Sequence, residues 1–467
     1  MNFSELFKLS NNLCAFSNNG NYLANALQHR LIIRDVKTLE ITQIFTCIED
    51  IESIEVWSLE DPSWICKIDE GTAGLINFKW TPDSRHIMST AEFHVRITVW
   101  SLVNKSVSYI KYPKSIEMNM SFSQNGNYLA LLERRNCKDY VTIFSCSSWQ
   151  LLKTVFNCSF QHFEPDMNDA AGISFAPDGN CMCIWESLFE YKIALYSLSG
   201  HCIATYAADD WNLGIKTVSW CLSSQFLAIG NYDNKIHVLN HIIWKPIAEF
   251  EPSETIENTS VVGCLRTGIS NSETTFDISD NLQRNGIILD RPLSIPAIKA
   301  EGSKSNLRFG VSQAVFSADN RYLMTRMDNM PTSLWIWSVK EMELVTILIQ
   351  IRPIKCKTFI KLKNYIFVTT FFVLILVVCW DPAKSRLVLC TGSNKLYMWS
   401  PDGSTAVEVP NQDLVINKLN YFAVTFEICS LSWHPTGDCV LLKGKDQMCL
   451  CFIQKENKRF QTPFDRN

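Results

Sequence analysis

Apolar positions along this chain fall in short bursts separated by polar turns, and one burst recurs. An aromatic residue, a polar turn and an apolar strand start read FSNNGNYLA from Phe16, WTPDSRHIM from Trp80, FSQNGNYLA from Phe122 and FAPDGNCMC from Phe175. The phrase returns as WCLSSQFLA from Trp220, FSADNRYLM from Phe316, WDPAKSRLV from Trp380 and WHPTGDCVL from Trp433. Asn-Gly and Asp-Gly are hairpin chemistry, because Gly supplies the positive φ that a tight turn requires. The flanking aromatic and aliphatic residues are strand formers. Each phrase therefore predicts two strands joined by a short turn.

A further strand follows each phrase and ends in an aromatic residue or its equivalent. These are LIIRDV (31–36), ITVWSL (97–102), VTIFSC (141–146), IALYSL (193–198), IHVLNH (236–241), LWIWSV (334–339), KLYMWS (395–400) and MCLCFI (448–453). The combination resembles the WD40 repeat, whose Trp-Asp pair closes the third strand of a four-stranded blade. Trp-Ser stands in its place at Trp100, Trp337 and Trp399, and Arg34-Asp35 keeps only the Asp. The Gly-His of that repeat is absent, which predicts loss of the Asp–His hydrogen-bond network but not of blade packing. The expected fold class is all-β: a WD40-type β-propeller with about eight to nine repeats, one of them truncated. Two propellers in tandem, divided near 252–305, are the alternative.

Spacing locates the irregularities. The anchors Trp80 and Phe122 are 42 residues apart and Phe175 and Trp220 are 45, as WD repeats require. A ninth terminal-strand signature, VWSLE (56–60), follows LIIRDV too closely for three intervening strands, so the second repeat reads as truncated. Residues 252–305 are rich in Ser, Asn, Thr and Glu with little periodicity and read as a long mobile loop. The expected organisation is repeats over 1–251, a polar insertion over 252–305, repeats over 306–456 with an apolar insertion at 357–379, and a polar tail over 457–467.

The apolar run NYIFVTTFFVLILVVCW (364–380) carries no charge and sits at the lower limit for a membrane-spanning helix. Lys357, Lys361 and Lys363 precede it, as a positive-inside anchor would have. Its Val, Ile and Phe content and its junction with the Trp380 phrase favour strands instead. A translated pyrimidine-rich intron end would read the same way, so the run is expected to be strand or transcript artefact, and no membrane is expected.

Composition changes this picture little. A formal net charge of −4 over 467 residues provides no field that seeks polyanions, so nucleic acid is not an expected ligand. The N-terminal MNFSELFKLSNNLCAF lacks the features of a secretory signal. The 18 cysteines are scattered, with C-x-C pairs at Cys181/Cys183 and Cys449/Cys451 but no C-x-x-C, so they read as reduced core thiols rather than zinc ligands. Phosphate-cradling, nucleophile-elbow and zinc-helicate motifs are missing, and the eight histidines are dispersed. No enzyme, cofactor or metal is expected.

The candidate residues are therefore interaction residues. Asp69 and Glu70 are adjacent in KIDEG and read as solvated loop acids. Tyr109, Lys111 and Tyr112 in SYIKYP, and Arg134, Arg135, Lys138, Asp139 and Tyr140 in ERRNCKDY, combine aromatic and charged side chains between strands. Arg and Tyr are favoured at interface hot spots; a solvated blade edge is the competing reading.

Several strings carry a sharper resemblance: WSLEDPSWICKIDEGTAGL (57–75), EFHVRITVWSL (92–102), SVSYIKYPK (106–114), ERRNCKDYVTIF (133–144) and SSQFLAIGNYDNKIHVLNHIIWK (223–245). They resemble the centrosomal WD-repeat protein eight family, named for a gene antisense to a tumour-suppressor relative, from Met1 to about Ile453. The resemblance implies a non-enzymatic scaffold in the cytoplasm and cytoskeleton, at the centrosome or microtubule-organising centre, centriolar satellites and spindle poles, supporting microtubule anchoring, spindle assembly and ciliogenesis. It also implies a coiled-coil partner of the synovial-sarcoma-X breakpoint-interacting protein family and, for some members, a minus-end-directed kinesin. The truncated second repeat, the 357–379 insertion and an extra stretch near 413–422 depart from the family pattern. An RNA- or translation-associated propeller is the rival reading; a hidden hydrolase or isomerase would need converging acids or a metal.

Overall fold

The computed structural model describes residues 1–46, 53–61, 63–71, 74–75, 77–90, 96–114, 119–151, 162–188, 190–207, 213–256, 264–267, 293–298, 309–350, 354, 378–409 and 426–453. Its regular elements are strands, which form two two-stranded sheets and eight sheets of four or five strands, the eight numbered here as blades in chain order and antiparallel but for one edge of blade six. The expected 357–379 insertion (apart from Val378 and Cys379), the 413–422 stretch and the 457–467 tail lie outside the described residues.

All eight aromatic anchors end the first strand of a blade. Blade one is built from Cys14–Phe16, Tyr22–Leu27, Arg30–Asp35 and Ile41–Thr46. Blade two uses Asn77–Trp80, His86–Thr90, Arg96–Ser101 and Val107–Lys111. Blade three begins with Met120–Phe122, Tyr128–Arg135 and Lys138–Ser145; its outer edge is split into Gln150–Leu151 and His162–Phe163, which accommodates the 53 residues between Phe122 and Phe175. Blades four and five start at Ala170–Phe175 and Ile215–Trp220, and blade six at Val311–Phe316. Blade seven starts at Val378–Trp380 and blade eight at Ser430–Trp433.

Burial shows why the strands take this order. Inner strands are covered on both faces, as in Cys181–Glu186 of blade four, where every residue is buried. Outer strands such as Cys202–Ala207 alternate between exposed and half-covered, the pattern of a strand with one wet face. The recurrent polar phrase makes the turn between the first two strands. Gly20, Gly126, Gly179 and Gly437 hold φ of 76°, 70°, 74° and 75° there, and their amides bond back to Ser17, Ser123, Ala176 and His434. Residues 17, 123 and 317 are serines whose hydroxyls bond Asn19, Asn125 and Asp319 at 2.7, 2.7 and 2.6 Å, closing the turn a second time.

Two compact units contain these blades. One holds blades one, seven and eight. Blade eight is completed from the far end of the chain: Asn2–Phe3 and Phe7–Lys8 pair antiparallel with Gln447–Phe452, in the registers Asn2↔Phe452 and Phe7↔Met448. Leu9, Cys14, Leu23 and Val36 share a core with Cys439, Leu441, Met448 and Leu450. The other unit holds blades two to six, each joined to the next by a core of this kind.

The truncated repeat is found, and the tandem alternative is not. The ninth terminal-strand signature is a strand, Ser53–Trp57, paired with Ile65–Asp69 in a two-stranded sheet that presses Ile54, Val56 and Ile68 onto blade two. No further strand pairs with it among the described residues, so the truncation is visible as a half-blade. The 252–305 segment does not separate two bodies: Phe250 before it, Ile256 and Ile295 within it, and Val311 and Phe316 after it lie in one core shared by blades five and six. A tandem division there would cut through buried apolar packing. The segment also contributes Thr255–Ile256 paired with Leu293–Ser294, and Cys264–Thr267 as a parallel edge strand on blade six. Lack of periodicity in the sequence hid these pairings because each involves only two to four residues.

Candidate interaction surface

The hairpin between the second and third strands of blade three is the longest of its kind in the second unit. Both strands run eight residues, and Asn136 and Cys137 turn the corner with φ of 51° and 63°. This double positive φ gives a type I′ turn, whose twist matches the strands it joins. The extension carries Glu133 to Tyr140 beyond the neighbouring strand ends.

At its base lies a charged cluster that ties three blades together. Asp139 is 4% exposed, and its carboxylate accepts Nε and Nη2 of Arg134 at 2.7 and 2.9 Å, Nζ of Lys114 at 2.7 Å and the amide of Ala170 at 2.9 Å. Lys114 also donates to Asp169 Oδ1 and to the Ala170 carbonyl, both at 2.6 Å, while Arg134 Nη2 reaches Asp169 at 2.6 Å. Burial opposes ionisation of Asp139, but the donors from Arg134 and Lys114 outweigh it and hold its carboxyl below the ordinary range. The Lys114 hydrogen bond holds Asp169 at about 2 against partial desolvation. The hydrogen bond to Asp139 pushes the Arg134 guanidinium above its already high value. Arg134 and Asp139 are thus internal ties first and surface groups second.

The remaining candidates form an aromatic and basic strip. Tyr112 is 53% exposed and lies under the Arg135 guanidinium, 5.4 Å from its ring centre; Arg135 in turn pairs with buried Glu133. Burial drives the Glu133 carboxyl upward, against Arg135 beside it. Lys138 Nζ bonds Glu164 at 2.8 Å, and Tyr140 meets His162 edge-on at 6.2 Å. Along the outer strand of blade two, Val107, Tyr109 and Lys111 point outward at alternate positions. Arg96 lies over Tyr109 at 4.7 Å.

Asp69 and Glu70 part company. Asp69 is exposed and accepts the Gly71 amide at 2.7 Å. Glu70, read from sequence as solvated, is 9% exposed. Its carboxylate accepts from Ser89 and from the Trp100 indole, 3.3 Å away, and Trp100 Nε1 also donates to Ser89 Oγ at 2.6 Å. Alternation along an extended backbone sends adjacent side chains to opposite faces, and here one face is buried. A tryptophan–hydroxyl link therefore holds this blade, with a carboxylate at its end. Blade six keeps the same link, Trp337 Nε1 to Thr325 Oγ1 at 2.8 Å.

Sequence reading missed Lys114, Glu133, Glu164 and Asp169. Lys114 and Glu133 stand inside the strings SVSYIKYPK and ERRNCKDYVTIF, so their neighbours were the signal. Asp169 has no local signal, because it joins the cluster only through packing of blade four on blade three. Among the described residues no three His, Cys, Asp or Glu side chains are grouped to hold a metal. No helix among the described residues is long and apolar enough to cross a membrane.

Comparison with known proteins bears on this arrangement. The chain is 41% identical to the mouse WD repeat-containing protein WRAP73 over 98% of its own length and 97% of the relative's. It belongs to the WRAP73 family. An uncharacterized WD repeat-containing protein of Schizosaccharomyces pombe is 20% identical over 98% of this chain and 93% of that protein. Among solved structures, the C-terminal WD40 domain of Sif2 matches 97% of this WRAP73-family chain and 99% of its own with a TM-score of 0.50 and 10% identity, which shows the WD40 propeller fold. No family model matches the chain. WD-repeat propeller families generally act as non-enzymatic scaffolds for other proteins, and membership in the WRAP73 family assigns the chain to that class.

Proposed function

We propose that this WRAP73-family chain is a scaffold of the centrosome, centriolar satellites and spindle pole that serves microtubule anchoring, spindle assembly and ciliogenesis. The observation that carries the reading is the family relationship, which runs through nearly the whole of both chains. The partner is a coiled-coil protein of the synovial-sarcoma-X breakpoint-interacting family, with a minus-end-directed kinesin joining it. The strip of Tyr109, Lys111, Tyr112, Arg135 and Lys138 supports the assignment of a docking edge: exposed aromatic rings under guanidinium groups are the chemistry of hot spots. Residence in the cytoplasm and cytoskeleton follows from the same reading.

The test is localisation and co-purification of the tagged full chain. Concentration at centrosomes with a coiled-coil partner in the eluate is expected. A diffuse signal without such a partner, or co-sedimentation with ribosomal subunits, would overturn it. A Tyr109→Ala/Tyr112→Ala variant is expected to keep its thermal midpoint and lose the partner.

A further inference from the structure

The half-blade has a sheet edge that the complete blades lack. Each of those has at least four strands, whereas Ser53–Trp57 pairs with Ile65–Asp69 alone among the described residues. Ser53–Trp57 runs into the signature VWSLE, so it stands where a third strand stands, with Ile65–Asp69 as its outer strand. In blade two the third strand, Arg96–Ser101, pairs on its inner side with His86–Thr90. The matching side of Ser53–Trp57 has no described strand beside it. The bond from the Ser58 amide to the Trp64 carbonyl sets the phase of the ladder, so Ile54 and Val56 bond across to Ile68 and Cys66. The backbone N–H and C=O groups of Ser53 and Glu55 therefore point to the inner edge.

The pair is anchored. Ile54, Val56 and Ile68 are buried in one core with Ile87 of blade two, which a two-stranded sheet needs in order to persist. A fixed edge with backbone groups turned outward is a template for a strand of another chain. Alternation then dictates the side chains of that strand. On the face of Ile54 and Val56 it meets apolar packing, and on the opposite face it meets Glu55. Acids dominate here: Glu55, Glu60, Asp61 and Asp69 fall between positions 53 and 69, where Lys67 is the one base. Edge-to-edge pairing of two copies would set acid against acid, so a second copy fits poorly. A strand with basic side chains on one face and apolar ones on the other fits.

We infer that the half-blade takes up a strand from a protein partner, an extended segment in which Lys or Arg alternates with Val or Ile. Uptake here needs neither the blade-two strip nor the cellular location proposed above, so binding in purified solution tests it separately. The probe is a fluorescent peptide of alternating Lys and Val, titrated into the full chain. Its controls are the same peptide N-methylated at alternate residues and a peptide of alternating Glu and Val. Saturable binding of the Lys–Val peptide is expected, with slower amide exchange at Ser53 and Glu55 and affinity falling as salt rises. The N-methylated peptide, stripped of ladder donors, is expected to bind at least about tenfold more weakly. Glu55→Lys, at a half-buried position outside the apolar core, is expected to keep the thermal midpoint and weaken binding about tenfold. Absence of saturable binding, equal binding of either control peptide, or parent-like affinity in Glu55→Lys would each overturn the inference. So would a dimer of the chain that protects the same amides, since it would assign the edge to a second copy.

Discussion

Lys114, leaving blade two, donates to Asp139 of blade three at 2.7 Å, and the same ammonium reaches Asp169 at the entry to blade four at 2.6 Å. One lysine therefore sets the spacing of three blades. Removing its buried acceptor leaves the ammonium with only the half-exposed Asp169 as counter-charge, and leaves the Ala170 amide without its acceptor. Asp139→Ala is expected to cost about 3–5 kcal/mol, because breaking a buried pair strands the other ion. Arg134→Ala, at a half-exposed guanidinium, is expected to cost about 1 kcal/mol or less. Denaturant titration of both variants checks the contrast, and equal losses would refute it.

Acid should act through this cluster first. Asp169 titrates at about 2 in the folded chain, and Asp139 is shifted the same way. An unfolded Asp titrates near ~3.9, so both contributions are complete above that value and are lost as the pH falls toward 2. Glu133 runs the other way: burial raises it, so its ionisation costs stability as pH rises through the ordinary carboxylate range. Thermal midpoints of the parent and Asp169→Asn should converge on acidification. Glu133→Gln should melt above the parent at neutral pH.

The Glu70–Ser89–Trp100 network predicts a local loss with an optical signature. Ser89→Ala removes the hydroxyl between a buried carboxylate and an indole and is expected to cost about 1–3 kcal/mol. The tryptophan emission should shift with it. An unchanged spectrum and midpoint would show that the network holds nothing.

Gly20 and Gly179 hold nearly the same positive φ, 76° and 74°, in equivalent turns. A Cβ at Gly20 would run into the His434 imidazole, whereas one at Gly179 would meet nothing within 4 Å. Gly179→Ala is expected to cost only the left-handed penalty, about 1–2 kcal/mol. Gly20→Ala should cost distinctly more, since the His434 bond to the Gly20 carbonyl at 2.8 Å must also give way. The difference between the two midpoints measures the blade-to-blade contact.

The fold was legible because its signals are local. Each anchor, from Phe16 to Trp433, ends a first strand since the turn behind it is fixed by a serine, aspartate or glycine within a few residues. The strands of the 252–305 segment were not legible, because they are held by distant partners: Cys264 pairs with Ile347 and Ile256 with Leu293. The candidate surface divided along the same line. Tyr109, Tyr112, Arg135 and Lys138 are exposed side chains that composition alone identifies. Glu70 and Asp139 carry the same charges in the sequence, yet packing against Trp100 and Ala170 turns them inward. No spacing rule separates these two kinds of acid.

Blade eight borrows its outer edge from residues 2–8. Removing those residues should lower the thermal midpoint and favour self-association through the bared Gln447–Phe452 edge, as read by size-exclusion chromatography.

The same borrowing sets a timetable for synthesis. Leu9, Cys14 and Leu23 leave the ribosome more than four hundred residues before their core partners Leu441, Met448 and Leu450. At about 5–20 residues per second, those apolar side chains wait some tens of seconds with no permanent cover. Blades two to six find their core partners as they emerge, whereas the core that blade one shares with blade eight closes only after Leu450 is made. Blade one is therefore made long before it is finished, and its waiting period is when a nascent-chain chaperone has most to do.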